Sequence, residues 1–424
     1  MSRGSSNVII AVLDEGVTPD HPDLPNTRQV RLNCSNFADG NPNDPSPTNN
    51  MNHGNAAAGV IAATQNNNQG ITGVCPNCRI MPVRIFDTNP SVHLTPAQIA
   101  DAIDFARFNG AHIISNSWSY RSENPNLHPV IVSAIQTATT QGRGGLGCVV
   151  VFAAGNNTLS NGFVHFPANV NIPGVLTVGA SDRYDRKAFY SPLGNPASPN
   201  NQLIDVVAPS HRAYPWQIAG ETFEAWSIDI PNNAGYNPWP AGGINPPPVG
   251  EQLPNSGTNF LAYTGRFGGT SHSCPVVAGI AGLILSLNPN FTQQQVFDLI
   301  TSTAERVGGY VYTNGRSNEM GFGRVNACVA LVGVIDRIAF ISGPQVPTPI
   351  CVQDNFTLNN VSSTVHVTWD ATPCYLFQNC SGTGTTATIR PASSSPHQDQ
   401  ALLHSLCNPI VIISDFQEKY KLAL

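Results

Sequence analysis

The sequence predicts an α/β protein, a doubly wound and mostly parallel sheet with helices on both faces. Two observations carry that expectation. Uninterrupted apolar runs recur along the chain, such as VIIAVL at Val8–Leu13 and CVVVFA at Cys148–Ala153. Strands covered on both faces read this way, because neither face has to meet water. Helical patterns alternate with these runs, as parallel crossover connections require. A third observation limits the second. After about Gly343 the alternation gives way to Thr/Ser/Val-rich stretches, STVHVTWD and GTTATIRP, which predict a small, separate β-rich module.

In chain order, strands are expected at Val8–Leu13, Ile80–Ile85, His112–Ser117, Cys148–Ala153, Val175–Val178 and Leu203–Ala208. Ala56–Ala63, Pro96–Asn109 and Val130–Thr140 fit helices between them, the second closed by Gly110 just past its end. Residues 211–263, punctuated by NPWPAGGINPPPVG, read as an insertion rather than as core. Helices at Ser271–Leu287 and Thr292–Ala304 follow. The organisation expected is a large domain over 1–342 that carries the insertion, joined through SGPQVPTP to the module over 343–424.

Composition narrows the class. With 424 residues and 41% apolar content the chain can bury a substantial core, while 11% charged residues, 37 Gly and 35 Pro suit a loop-rich globular protein. A net charge of −6 with no Lys/Arg cluster leaves no electrostatic footprint for nucleic acid. No apolar run is read as reaching membrane-spanning length. Ten cysteines suggest an oxidising compartment and hence secretion. The opening MSRGSSNVIIAVLD has no signal-like apolar segment before the first strand, so a leader is expected to have been removed, or the sequence to be a fragment.

The chemistry is concentrated in GRFGGTSHSCPVVAGIAGLIL, Gly265–Leu285. A plain helix start would use Ser271 as N-cap and Pro275 in the first turn, but it leaves Gly268-Gly269 unexplained. Alternatively Ser271 is a nucleophile at a helix N-terminus, where the dipole favours developing negative charge. A nucleophilic serine needs a base and a group to orient that base. VIIAVLDEGV places Asp14 at the carboxyl end of a buried strand, and NHGNAAAGVIAA places His53 at the start of a small-residue helix. VVVFAAGNN ends another strand in Gly155-Asn156, a side-chain amide donor in a tight turn. Each residue alone is explained by local structure. Together they form an Asp, His, Ser order, one of the convergent triad orders.

Those residues resemble the subtilisin-like serine proteases. GTSHSCPVVAG fits that family's nucleophile pattern, VLDEGV and HGNAAAGV its other two catalytic motifs, FAAGNN its oxyanion segment and ISNSWSY its substrate-binding strand. HPDL, LTVGASD, FYSPLG, IDVVAPS and GFGRVNA match further, so the resemblance covers about Asn7 to Ala330. It implies a serine endopeptidase acting on polypeptides through Asp14, His53 and Ser271, with Asn156 in the oxyanion hole and Ser117, Trp118, Ser119, Ala154 and Gly155 along the substrate. It further implies structural Ca²⁺ in the loop TQNNNQGITGVCP, with side-chain oxygens from Asp23 and Asn67 and carbonyls from Gln65, Gln69 and Ile71. A prosegment, absent ahead of the first strand here, is implied too. Glu15, Asn55 and Ser119 depart from the usual pattern and bear on specificity more than on chemistry. The Ser-Trp pair is similar to kexin-like and related bacterial branches, where an acidic cluster after it recognises basic residues. SYRSEN offers only Glu123 beside Arg121, so dibasic specificity is not expected.

Other readings are weaker. Cys75-Pro-Asn-Cys78 lacks a second CxxC and a following helix, which favours a local disulfide over zinc or redox chemistry. Cys274 reads as a packing thiol. An α/β-hydrolase esterase would need Gly-x-Ser-x-Gly and a serine-first order. A catalytically inactive scaffold kept for binding is the remaining alternative.

Overall fold

The structure is a computed structural model, and it describes residues 2–48, 51–89, 91–157, 162–211, 225–231, 235–236 and 262–338, with the backbone of strands between 340 and 423. Its centre is a six-stranded sheet in the order β2-β1-β3-β4-β5-β6. The strands are β1 (Ile9–Asp14), β2 (Arg79–Arg84), β3 (Ile113–Asn116), β4 (Val149–Ala153), β5 (Leu176–Ser181) and β6 (Val206–Pro209). Every pairing is parallel. Each apolar run of the sequence supplies one of these strands, and β3, β4 and β5 are buried along their whole length. Burial on both faces is why they lack polar alternation.

Helices α2 (Pro96–Phe108) and α3 (Pro129–Gln141) pack together on one side of the sheet. Thr95 and Gln98 close a capping box at the start of α2, and Gly110 past its end takes φ 84°. On the other side lie α1 (His53–Ala62) and α4 (Thr270–Leu287), with α4 crossing β3, β4, β5 and β6. Among the described residues α4 alone is long and apolar enough to cross a membrane, contrary to the sequence reading. Its apolar length is accounted for by its place as the buried helix against the sheet. Helices α5 (Gln293–Ser302, capped by a Thr292/Gln295 box) and α6 (Ala327–Ile338) follow.

The strand order reverses direction beside β1. The chain winds from β1 to β2, then returns past β1 to β3 and continues outward. A crevice opens at the carboxyl ends of β1 and β3, where such sheets place their ligands. Asp14 ends β1, and Ser117 follows β3 directly.

Most of the 211–263 stretch lies outside the described residues, but part of it is not an excursion. Ala225–Ile228 (β7) pairs antiparallel with Tyr263–Phe267 (β8), the strand that leads into α4. β7 also packs on α1, where Ser227 Oγ donates to the Ala56 carbonyl. A four-residue strand inside a Pro/Gly-rich stretch gives too short a pattern to read.

The chain divides into two compact units, Ser2–Leu331 and Val332–Leu424. In the second unit Phe340–Ser342, Asp354–Asn359 and Thr386–Ile389 form an antiparallel sheet. Thr368–Asp370 pairs with Ser381–Thr383, and Ile410–Asp415 with Glu418–Ala423.

Candidate active site

Four chain-distant segments meet in a cleft of about 330 Å³ that Asp14, His53, Asn156 and Ser271 all line. Asp14 is fully buried, and its carboxylate accepts the Glu15 backbone N–H at 2.8 Å. His53, the first residue of α1, turns Nδ1 toward both Asp14 oxygens, at 2.9 and 3.0 Å. An acceptor carboxylate fixes the proton on Nδ1, which leaves Nε2 as the basic nitrogen. The ring packs edge-on against Phe267 of β8, with centroids 5.2 Å apart. Burial opposes charging of this imidazole, but the Asp14 carboxylate, its hydrogen bond and Glu15 outweigh it, and the pKa is pushed up to about 9.

Ser271 is the second residue of α4 and does not cap it. The N-cap is Gly269, at φ 78°. A helix start alone therefore does not explain the serine. Its Oγ donates to the Ser117 carbonyl at 3.3 Å. Pro275 lies well inside α4 rather than in its first turn, and it removes the N–H that would have bonded the Ser271 carbonyl. The Ser117 hydroxyl takes over that carbonyl at 2.9 Å. The proline thus lets the strand after β3 be tied to the serine's own peptide.

Asn156 is oriented by the same helix end. The Thr270 N–H donates to Asn156 Oδ1 at 2.9 Å, and the Thr270 hydroxyl donates to it at 3.0 Å. A backbone N–H can only donate, so Oδ1 is held and Nδ2 is left to the cleft. A Cβ on Gly269 would stand 2.9 Å from that Nδ2, so the glycine makes room for Asn156. Thr270 is a positioning residue that the motif contained but its pattern did not explain. Of the expected substrate residues, Ser117, Trp118, Ser119 and Gly155 line the cleft, and Ala154 is buried beside it.

The subtilase family profile matches residues 5–323. The chain belongs to the subtilase family. It is 34% identical over 362 residues to a calcium-dependent protease of Nostoc sp., covering 82% of this chain and 48% of that protein. It is 32% identical over 327 residues to a thermophilic serine proteinase of Bacillus sp., covering 77% of this chain and 62% of the relative. Among solved structures, a protease of Pseudoalteromonas arctica superposes with a TM-score of 0.57 at 26% identity, over 78% of this chain and 91% of that one. The chain spans about half the length of the first of these curated relatives. Subtilase membership and the parallel sheet agree with the fold expected from the sequence.

Away from the cleft, Asp23 is fully buried. Asn67 Nδ2 donates to its Oδ1 at 2.7 Å, and the Ile71 N–H to its Oδ2 at 3.0 Å. Burial raises its pKa, partly offset by these neutral donors. Gln65 and Gln69 are exposed on the same loop. Among the described residues no group of three or more His, Cys, Asp or Glu is arranged to hold a metal ion. A buried carboxylate with only neutral partners and a loop of oxygen donors fits a hard cation. Cation binding would require Asn67 to turn its oxygen inward.

Two features went unread in the sequence. Glu15, noted only as a departure, accepts the His53 backbone N–H at 2.8 Å and so anchors the start of α1. Burial and then Asp14 raise its pKa. Arg121 and His165 also line the cleft. Cys75 and Cys78 lie at disulfide distance, 2.02 Å between sulfurs. Cys274 is buried with its Sγ toward the Asn116 carbonyl, and burial lifts its pKa to about 11.

Proposed function

We propose that this chain is a serine endopeptidase that cleaves polypeptides by acyl transfer. The observation that carries the reading is the Asp14–His53 pair, bonded at 2.9 Å, in one cleft with Ser271. Ser271 swings from the Ser117 carbonyl onto His53 Nε2, loses its proton to that nitrogen and attacks the scissile carbonyl. Asp14 holds the imidazole and stabilises its cation. The carbonyl oxygen becomes an anion facing Asn156 Nδ2 and the N-terminal amides of α4. His53 then gives its proton to the leaving amine, and water releases the acyl group by the same route. The segment Ser117–Ser119, at the end of a central strand, pairs with extended substrate.

The same reading includes calcium on the Asp23 loop and action outside the cell. Relatives named as calcium-dependent proteases support the first. Asp23, Asn67 and the carbonyls of Gln65, Gln69 and Ile71 would hold the ion, which would supply charge compensation for the buried carboxylate and brace the loop. Ten cysteines support the second. A scaffold retained only for binding would have no use for an Asp-held imidazole. Labelling with a serine-directed phosphonate decides between them. The native chain should be labelled and Ser271→Ala should not. A folded native chain that resists the reagent would leave the scaffold reading standing.

A further inference from the structure

The cleft runs past Ser271 in two directions. Glu15 is bonded to His53 at one end, and Ser119, Gly155 and Arg121 gather about His165 at the other. The leaving amine must lie within reach of His53, which protonates it. The side chain of the residue being acylated therefore points the opposite way, into the second arm.

That arm is a slot with two walls and a floor. The walls are the segments that leave the adjacent strands β3 and β4, and the floor is His165, followed by the buried Phe166. The His165 N–H donates to the Ala154 carbonyl at 2.9 Å, and the Tyr120 N–H to the Phe166 carbonyl at 2.7 Å. His165 is 3% exposed. Its Nε2 lies 3.1 Å from Asn157 Oδ1 and its Nδ1 2.9 Å from Ser119 Oγ. Asn157 Oδ1 can only accept, so Nε2 carries the proton. Burial and then the Arg121 charge hold the ring's pKa down, so Nδ1 is bare and accepts a hydrogen bond from the Ser119 hydroxyl. Gly155, at φ 108°, comes so close that a Cβ would stand 2.4 Å from Nδ1. The imidazole thus closes the slot with a polar surface. Arg121 is exposed at its mouth, and among the described residues its guanidinium has no ion-pair partner. Glu123, the nearest acid in sequence, does not line the cleft.

We propose that this slot selects an acidic side chain, glutamate or aspartate, on the residue whose carbonyl Ser271 attacks, with Arg121 as its charge partner. The proposal rests on the peptidase reading above. An apolar side chain would gain nothing from the Arg121 guanidinium. A basic one would meet the Arg121 guanidinium. The Asp14 and Glu15 carboxylates lie at the His53 end, facing the leaving side.

The test uses the full chain and four fluorogenic peptides that differ only before the scissile bond, carrying Glu, Gln, Lys or Leu. Rates are expressed per serine titrated with an uncharged phosphonate. The Glu peptide should lead in kcat/KM, by about tenfold over Gln and more over Lys, with the lead shrinking as salt rises. Arg121→Gln should close the gap between Glu and Gln, and Arg121→Glu should place Lys above Glu. Arg121 is exposed, so neither change threatens the fold. A native preference for Leu or Lys, or an order unchanged in Arg121→Glu, would overturn the slot assignment alone. No cleavage together with an unlabelled Ser271 would overturn the peptidase reading, and this inference with it.

Discussion

Replacing Asn156 by leucine removes two functions at once, and the structure lets them be separated. Oδ1 accepts from the Thr270 N–H at 2.9 Å and from the Thr270 hydroxyl at 3.0 Å, at the first residue of α4. Losing such an acceptor at a helix start costs about 1 kcal/mol, the usual worth of an N-terminal cap. In a domain of more than 300 residues that is roughly 2 °C in Tm. Nδ2 has little to bind until the carbonyl oxygen becomes an anion. Removing one such donor costs about 10²–10³ in kcat, or roughly 2.7–4 kcal/mol, as it does in subtilisin. Asn156→Leu should therefore lose kcat with little change in KM, alongside a small fall in Tm. Asn156→Asp keeps the acceptor for Thr270 and loses the donor, so its Tm should stay near the native value while kcat still collapses. The assays are steady-state hydrolysis of one peptide and thermal unfolding. If Asn156→Leu loses Tm yet keeps kcat within tenfold, the residue only ties down α4. Full turnover in Asn156→Asp would refute the donor role directly.

Three further outcomes are expected. His53 has a folded pKa pushed up to about 9 from an ordinary 6.5, so its protonated form is favoured by the fold. That stabilisation is fully present below pH 6.5 and lost as pH rises through about 9, while kcat/KM, which needs the neutral ring, rises over the same window. Asp14→Asn should move the rising limb to lower pH, and an unmoved limb would mean that Asp14 does not set the base. Calcium should raise Tm, since a ligand at a hundredfold excess over Kd adds about 2.7 kcal/mol to the native state. Asp23→Ala should abolish the difference between calcium and chelator, and a melt indifferent to calcium in the native chain would remove the ion from the loop. Truncation at Ser342 should leave hydrolysis of a small peptide within a few-fold of the full chain. Loss of activity in a truncated protein that still melts cooperatively would make residues 343–424 part of the working enzyme.

What the sequence determined by itself was whatever depends on short-range pattern. Apolar runs such as Val149–Ala153 announced buried parallel strands, because a strand covered on both faces needs no polar alternation. Gly110, just past the Pro96–Asn109 pattern, announced a helix end for an equally local reason. The residue types at Asp14, His53, Asn156 and Ser271 announced an acyl-transfer constellation, although nothing local brings residues so far apart in the chain together. The tertiary structure decided everything that depends on which atom faces which. It turned Asn156 Oδ1 to Thr270 and left Nδ2 for the cleft. It made Pro275 a means of freeing the Ser271 carbonyl for Ser117, where the sequence suggested only a helix start. It set Glu15 on the His53 N–H and placed Arg121 and His165 in one slot. The physical reason is the crossover topology. Parallel strands are joined by long excursions, so the groups at their carboxyl ends become neighbours through the sheet and not through the chain.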